Sequence, residues 1–181
     1  MWHRFVGALL VIQMGMACAA DDMAVDVKRK GDSFVVGATA TVAASSSVVW
    51  EVLTDYDHLA RFIPGLSRSA VQIRAANRVQ LEQTGEARFF VFAYPIEVRL
   101  EVLESPRESI SSRRIGGNLK RMSGRYDLQV AQGGVRLRYA GELEPDFALP
   151  PLIGTLAVRT MVEEQFAALV SEIERRASLA R

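Results

Sequence analysis

Ile96-Glu97-Val98-Arg99-Leu100-Glu101-Val102 alternates apolar and charged side chains without a break. Successive side chains on a β-strand point to opposite faces, so this run builds a sheet that is buried on one side and wet on the other. Toward the C-terminus, Met122, Tyr126, Leu128 and Val130 keep one parity. Val135, Leu137 and Tyr139 keep the matching one beyond the turn signal Gln132-Gly133-Gly134. For both apolar rows to share a face, paired residue numbers must add to an odd number, which demands an even number of loop residues. Tyr126 and Tyr139 are then expected on one face. Arg121, Arg125, Arg136 and Arg138, with Asp127 among them, are expected on the other.

Pro145, Pro150 and Pro151 interrupt the strands, after which Val158, Met161, Val162, Gln165, Phe166, Leu169 and Ile173 recur at helical spacing. They mark one face of a helix that runs nearly to the end, and Pro151 suits its first turn because no needed donor is lost there. Upstream, β-rich runs over Val25–Lys30 and Phe34–Val42 flank the turn signal Gly31-Asp32 and predict a hairpin. Ser45, Ser46 and Ser47 offer N-caps for a short helix carrying Val49, Val52, Leu53 and Tyr56. Asp57 is expected to cap a second brief helix through Phe62-Ile63, which Pro64-Gly65 ends. The order is hairpin, two short helices, a run of antiparallel strands and one long terminal helix. A sheet with one apolar face and a single amphipathic helix closes by curling around that helix, and wherever the two fail to touch, a pocket remains.

The 181 residues are 49% hydrophobic and 24% charged, as in an ordinary globular chain, and show no repeat or linker, so one domain is expected over residues 24–178. Residues 1–19 read as a cleaved signal peptide: Arg4, an apolar run from Phe5 to Met16, and the small-x-small site Ala17-Cys18-Ala19 ahead of Asp21-Asp22. The expected location is therefore periplasmic or secreted. Cleavage after Ala19 removes Cys18, the one cysteine, and leaves a mature chain without thiol chemistry. An alternative is lipid attachment at Cys18, which follows Gly15-Met16-Ala17, although Gly15 stands where a lipoprotein site usually has leucine. The formal net charge is +1, and loss of Arg4 makes it zero, which speaks against a nucleic-acid partner.

The mature chain has one histidine, His58, near Asp55 and Asp57, and any histidine-based triad or metal site would depend on it. Its expected role is that of a helix-end residue. Glu142 with Glu144, and Glu163 with Glu164, are expected to be solvated, and no phosphate-cradling glycine loop, Gly-x-Ser-x-Gly elbow or HExxH occurs. No catalytic residue, metal ligand or cofactor is assigned on these grounds. The candidates for binding a hydrophobic small molecule are Phe62, Ile63, Phe90, Phe92, Met122, Tyr126, Tyr139, Phe147, Met161 and Phe166. Phe90 and Phe92 share parity with Tyr94 and oppose Phe89 and Val91, and either set can face inward. Arg114 is left with two readings, a ligand-head contact or a surface arginine. From Arg107 to Arg138 the chain is net +6, so its outer face suits transient contact with an anionic membrane surface or simple solvation.

The segment Val49-Trp50-Glu51-Val52-Leu53-Thr54-Asp55-Tyr56-Asp57-His58-Leu59-Ala60-Arg61-Phe62-Ile63-Pro64-Gly65 resembles the first-helix signature of the polyketide cyclase/dehydrase and coenzyme Q-binding START-type proteins of the SRPBCC superfamily. The resemblance covers about residues 35–176. It implies an α+β helix-grip (START-like) fold, a curved antiparallel sheet wrapped around a long C-terminal helix, with a largely apolar cavity between them. In the signature, Trp50 and Leu53 are expected to pack, Asp57 to cap and Pro64 to turn the chain. The fold hosts lipid carriers, quinone binders, cyclases and hormone receptors, so three functions follow from it. They are non-catalytic binding or transport of a lipid, isoprenoid or quinone-like molecule, a cyclase or dehydratase activity, and an interaction module working through the basic sheet face.

Overall fold

A computed structural model describes residues 23–89, 92–147, 149 and 151–180. The chain opens with the hairpin β1 (Ala24–Lys30) and β2 (Ser33–Val42), then helix α1 (Ser46–Leu53) and a 3-10 helix (Tyr56–Arg61). Six strands follow: β3 (Leu66–Ala75), β4 (Arg78–Phe89), β5 (Phe92–Ser105), β6 (Ser109–Gly117), β7 (Leu119–Ala131) and β8 (Gly134–Pro145). Helix α2 (Pro151–Leu179) completes the fold. All eight strands form one antiparallel sheet in the order β1-β2-β8-β7-β6-β5-β4-β3. The helix-grip architecture expected from the element order is the one observed.

The odd-sum register holds along the β7–β8 hairpin: Tyr126 pairs with Tyr139, Leu128 with Leu137 and Gly124 with Gly141, around a two-residue turn at Gln132-Gly133. Apolar side chains of this register face α2, and Leu137 is fully buried. Val130 has the right parity yet is 87% exposed, while its partner Val135 on β8 is buried in the main core. Register shifts in β3, between Arg99 and Leu100 in the β5–β6 pair, and between Leu119 and Arg121 bend the strands toward the helix.

Two apolar clusters hold the sheet to α2. The larger joins Phe166, Leu169, Ile173 and Ala177 of the helix to α1 and to the strands β4, β5 and β8. The smaller joins Val158 to Val27, Phe34, Val36 and Leu149. The helical face read from the sequence is thus the buried face, at three- and four-residue spacing.

Ser45 caps α1, accepting from the backbone N–H of Val48 at 3.3 Å. The second short helix departs from expectation: it is a 3-10 turn beginning at Tyr56, and Asp57 does not cap it. Asp57 instead accepts the backbone N–H of Val71 at 2.8 Å, tying the turn to β3. Asp55, at the cap position, accepts from Arg176 at 2.7 Å and contacts His58 Nδ1 at 2.6 Å. Burial works to raise the Asp55 pKa, but the bonds from Arg176 and His58 outweigh it and hold the carboxyl below its ordinary range.

Arg176 also donates to Glu172 at 2.7 Å, so one guanidinium links the end of α2 to the start of the 3-10 helix. Hydrogen bonding from Arg175, and then, against burial, from Arg176, lowers Glu172 from 4.5 to about 2. A carboxylate depressed in the folded state stabilises fully above its unfolded pKa and loses that contribution as the pH falls through its folded one. The window here lies between about 4.5 and about 2. Urea midpoints measured across that window are expected to fall more steeply for the wild type than for Glu172→Gln; equal slopes would show that the network does not contribute.

Candidate functional site

Between the two clusters the sheet and α2 part, leaving a cavity of about 330 Å³. The volume lies at the lower end of small-molecule sites. Strand alternation dictates its floor: Tyr94, Ile96, Val98, Leu100 and Val102 of β5 all turn toward it, while Glu97 and Arg99 turn to solvent. Tyr94 thus faces inward, but the single strand expected from Phe89 to Tyr94 is not observed: β4 ends at Phe89, β5 begins at Phe92, and the two residues pair across the turn, so Phe89 does not oppose Phe92 and the alternation does not run through the segment. The roof is the helix face from Ala157 to Leu169, and Tyr56, Leu59 and Ile63 close one side.

The mouth opens between the turn at Gly65-Leu66, the end of β4 at Glu86 and Arg88, and Ala157 and Met161 of α2, where the cavity is continuous with a shallow outer recess. Gln165 fastens this rim by donating to the Pro64 carbonyl at 3.0 Å, and Arg88 pairs with Glu86 at 2.6 Å. At the same end Tyr94 and Phe147 stack face to face, with ring centroids 4.0 Å apart and planes within 6°. The stack joins β5 to the segment before α2.

Tyr126 and Tyr139 form the polar part of the floor, with rings 4.7 Å apart and tilted by 41°. Burial pushes the Tyr139 hydroxyl up to about 12, and burial together with the Tyr139 neighbour raises Tyr126 further. Both are therefore protonated donors at any physiological pH. The Tyr139 ring lies over the Gly124–Gly141 pair, where a β-carbon built on Gly124 would meet the hydroxyl at 2.6 Å. Glycine in mid-strand here makes room for a close approach. Ser112, opposite Gly124, also lines the floor, and its hydroxyl reaches the Gly124 carbonyl at 3.4 Å. Tyr56 lies in the wall with its hydroxyl enclosed near the Glu104 carboxylate, and burial, then that carboxylate, raise its pKa.

Of the side chains proposed from the sequence, Ile63, Met122, Tyr126, Tyr139, Phe147, Met161 and Phe166 line the cavity. Phe62 does not: it packs against the main core with the Arg176 guanidinium 5.9 Å from its ring centre, as the 3-10 turn points residues 62 and 63 in different directions. Phe90 lies outside the described residues, and of Phe92 only the backbone is described. Arg114 sits on the concave side, with one nitrogen donating to the Gly117 carbonyl at 2.7 Å and Nε enclosed without a partner, but it is not part of the wall. His58 is bound to Asp55 away from the cavity. Among the described residues no cluster of three metal-ligating side chains occurs.

Gly124 and Gly141 were missed by the sequence reading, although the odd-sum register already places them opposite each other, two residues from the paired tyrosines. Tyr94 was noted there only for its parity.

No curated protein matches the sequence. Residues 33–178 match the family described as polyketide cyclase/dehydrase and lipid transport. The chain belongs to this family. Among solved structures, the Zhui aromatase/cyclase from Streptomyces sp. R1128 is similar at 18% identity and a TM-score of 0.66, over 81% of this chain and 94% of that one. A STAR-related lipid transfer protein from Xanthomonas axonopodis is similar at 16% identity and a TM-score of 0.67, over 87% of this chain and 96% of that one. A START superfamily protein from Mycobacterium smegmatis is similar at 16% identity and a TM-score of 0.63, covering 81% and 99%. At these identities the likeness carries the fold, which the family uses for enzymes and lipid binders alike.

The glycine trough yields a stability test. Gly124→Ala forces the Tyr139 ring off the floor and is expected to cost about 1–3 kcal/mol, the usual range for overpacking. In a Tyr139→Leu background the penalty should vanish, because the three atoms nearest the added methyl all belong to Tyr139. Urea denaturation of the four variants measures both values, and an equal penalty in the two backgrounds would contradict the geometry.

Proposed function

We propose that this protein binds and carries a hydrophobic small molecule in the space between the sheet and α2, outside the cytoplasm. The observation that carries the reading is the cavity itself: its floor and roof are rows of Ile, Val, Leu, Met and Phe side chains that a dry interior would have packed together. Burying a ligand there gains about 0.8 kcal/mol per CH₂ group removed from water. Export is inferred from residues 1–19, which read as a signal peptide and lie outside the described residues.

Catalysis as a cyclase or dehydratase is the second reading, supported by the family description and by the aromatase/cyclase of the same fold. The acid–base groups in the described wall are tyrosine hydroxyls, those of Tyr56, Tyr126 and Tyr139 with raised pKa values, and, at the rim, Glu86 paired with Arg88. Effective general acid–base catalysis favours a group titrating near the working pH, and binding suits this set better. Delivery at an anionic membrane is part of the carrier reading. On the outer face Arg121 pairs with Glu144 and Arg125 with Asp127, so Arg136 and Arg138, both exposed, are its best cations.

The mature protein is expected to bind the apolar fluorophore N-phenyl-1-naphthylamine at one saturable site. Met122→Trp, which fills the floor, should abolish binding without changing the circular dichroism spectrum, and charge reversal at Arg136 and Arg138 should leave it intact. Binding that survives the tryptophan would place the fluorophore elsewhere and remove the support for the cavity.

A further inference from the structure

We propose that Tyr139, held over the Gly124–Gly141 trough, is the donor that selects uncharged ligands bearing an acceptor oxygen, and that the cavity discriminates against carboxylates. This rests on the reading of the cavity as a ligand site and adds what that site distinguishes.

The first ground is charge. In the described wall the ionised side chains are Glu86 and Arg88, which neutralise each other at the rim. The internal residues outside the description, Phe90, Val91, Ala148 and Pro150, add no charge. Arg114 lies on the concave side of β6 with one nitrogen bound to the Gly117 carbonyl and its Nε enclosed without a partner, but it is not part of the wall. An anionic head deep in the cavity would lose its hydration without gaining a counter-ion, a cost that one hydrogen bond does not offset.

The second ground is the arrangement of the floor. Ser112, Gly124 and Gly141 form one row across β6, β7 and β8, and Tyr126 and Tyr139 pair in the adjoining row. Two missing β-carbons let the Tyr139 ring lie flat, and its hydroxyl is thereby placed over the middle of the floor rather than upright against α2. A protonated phenol offers one O–H donor, and we match it to an acceptor such as a ketone, quinone or ether oxygen, although its oxygen can also accept. The same wall carries Val98, Leu100 and Met122, apolar surfaces suited to the body of a ring compound.

Three probes of one shape separate these terms: 9-fluorenone, its hydrocarbon twin fluorene, and 9-fluorenone-4-carboxylate, each titrated as a competitor of N-phenyl-1-naphthylamine. The wild type is expected to prefer fluorenone to fluorene by about fivefold, the net worth of one neutral hydrogen bond. It should bind the carboxylate more weakly than fluorenone. Tyr139→Phe should erase the preference while leaving fluorene unchanged, and Arg136→Gln, on the outer face of the sheet, should change neither. Parallel losses for fluorenone and fluorene, no change in either, or failure of fluorenone to compete would overturn the role of Tyr139. A carboxylate that binds most tightly, and loses that advantage in Arg114→Met, would assign recognition to Arg114 instead. If the wild type fails to bind N-phenyl-1-naphthylamine at all, the ligand-site reading falls first, which keeps the two failures distinguishable.

Discussion

Eight strands spaced about 4.8 Å apart make a sheet roughly 34 Å across, whereas a helix with its side chains is about 10–12 Å thick. One helix therefore cannot cover the apolar face of such a sheet if the sheet stays flat. Bulges in β3 and irregular steps at Arg99/Leu100 and Leu119/Arg121 bend it, and α2 packs on the concave side through one cluster around Ile173 and another around Val158. Between those contacts the curvature exceeds what the helix can fill. The cavity is the geometric remainder of wrapping a wide sheet around a single helix, and the size of the side chains on rows such as Val98, Leu100 and Met122 decides how much of it stays open.

Alternation made the inner face of the sheet legible. Once Ile96 to Val102 were read as a strand, every second residue had to point one way, and the odd-sum rule then placed Tyr126 opposite Tyr139. The same rule put Gly124 opposite Gly141, but a glycine in a strand carries no side-chain signal, and its meaning came only with the position of the Tyr139 ring. The α2 face was equally legible, since its spacing of three and four admits one buried stripe. Short-range signals served less well. Asp57 has the chemistry of a cap, yet its carboxylate goes to Val71, fourteen residues on, because β3 passes beside the turn. Phe62 and Ile63 are neighbours of like character, and the irregular end of a 3-10 helix sends only the second into the wall.

Polarity gives the cavity its character. Its apolar surfaces supply affinity without direction, while hydroxyls of Tyr126, Tyr139 and Ser112 are gathered on one stretch of floor and can fix orientation. Apart from the Glu86–Arg88 pair at the rim, the ion pairs described above lie elsewhere. Arg176, Asp55, His58 and Glu172 bind the short helices to the end of α2, and Arg78 and Arg113 enclose Glu101 between neighbouring strands. Apart from Glu86 and Arg88 at the rim, the described wall that a hydrophobic guest would meet carries no ionised side chain.

A carrier holds its cargo in the protein as its own cell makes it. Native mass spectrometry of the mature chain purified from an exporting host, with the bound material then extracted into organic solvent and identified, measures this directly. One uncharged, apolar molecule per chain is the expected result. A bare protein that also refuses a panel of lipids and quinones would contradict the carrier reading and shift the weight to catalysis or to the outer face.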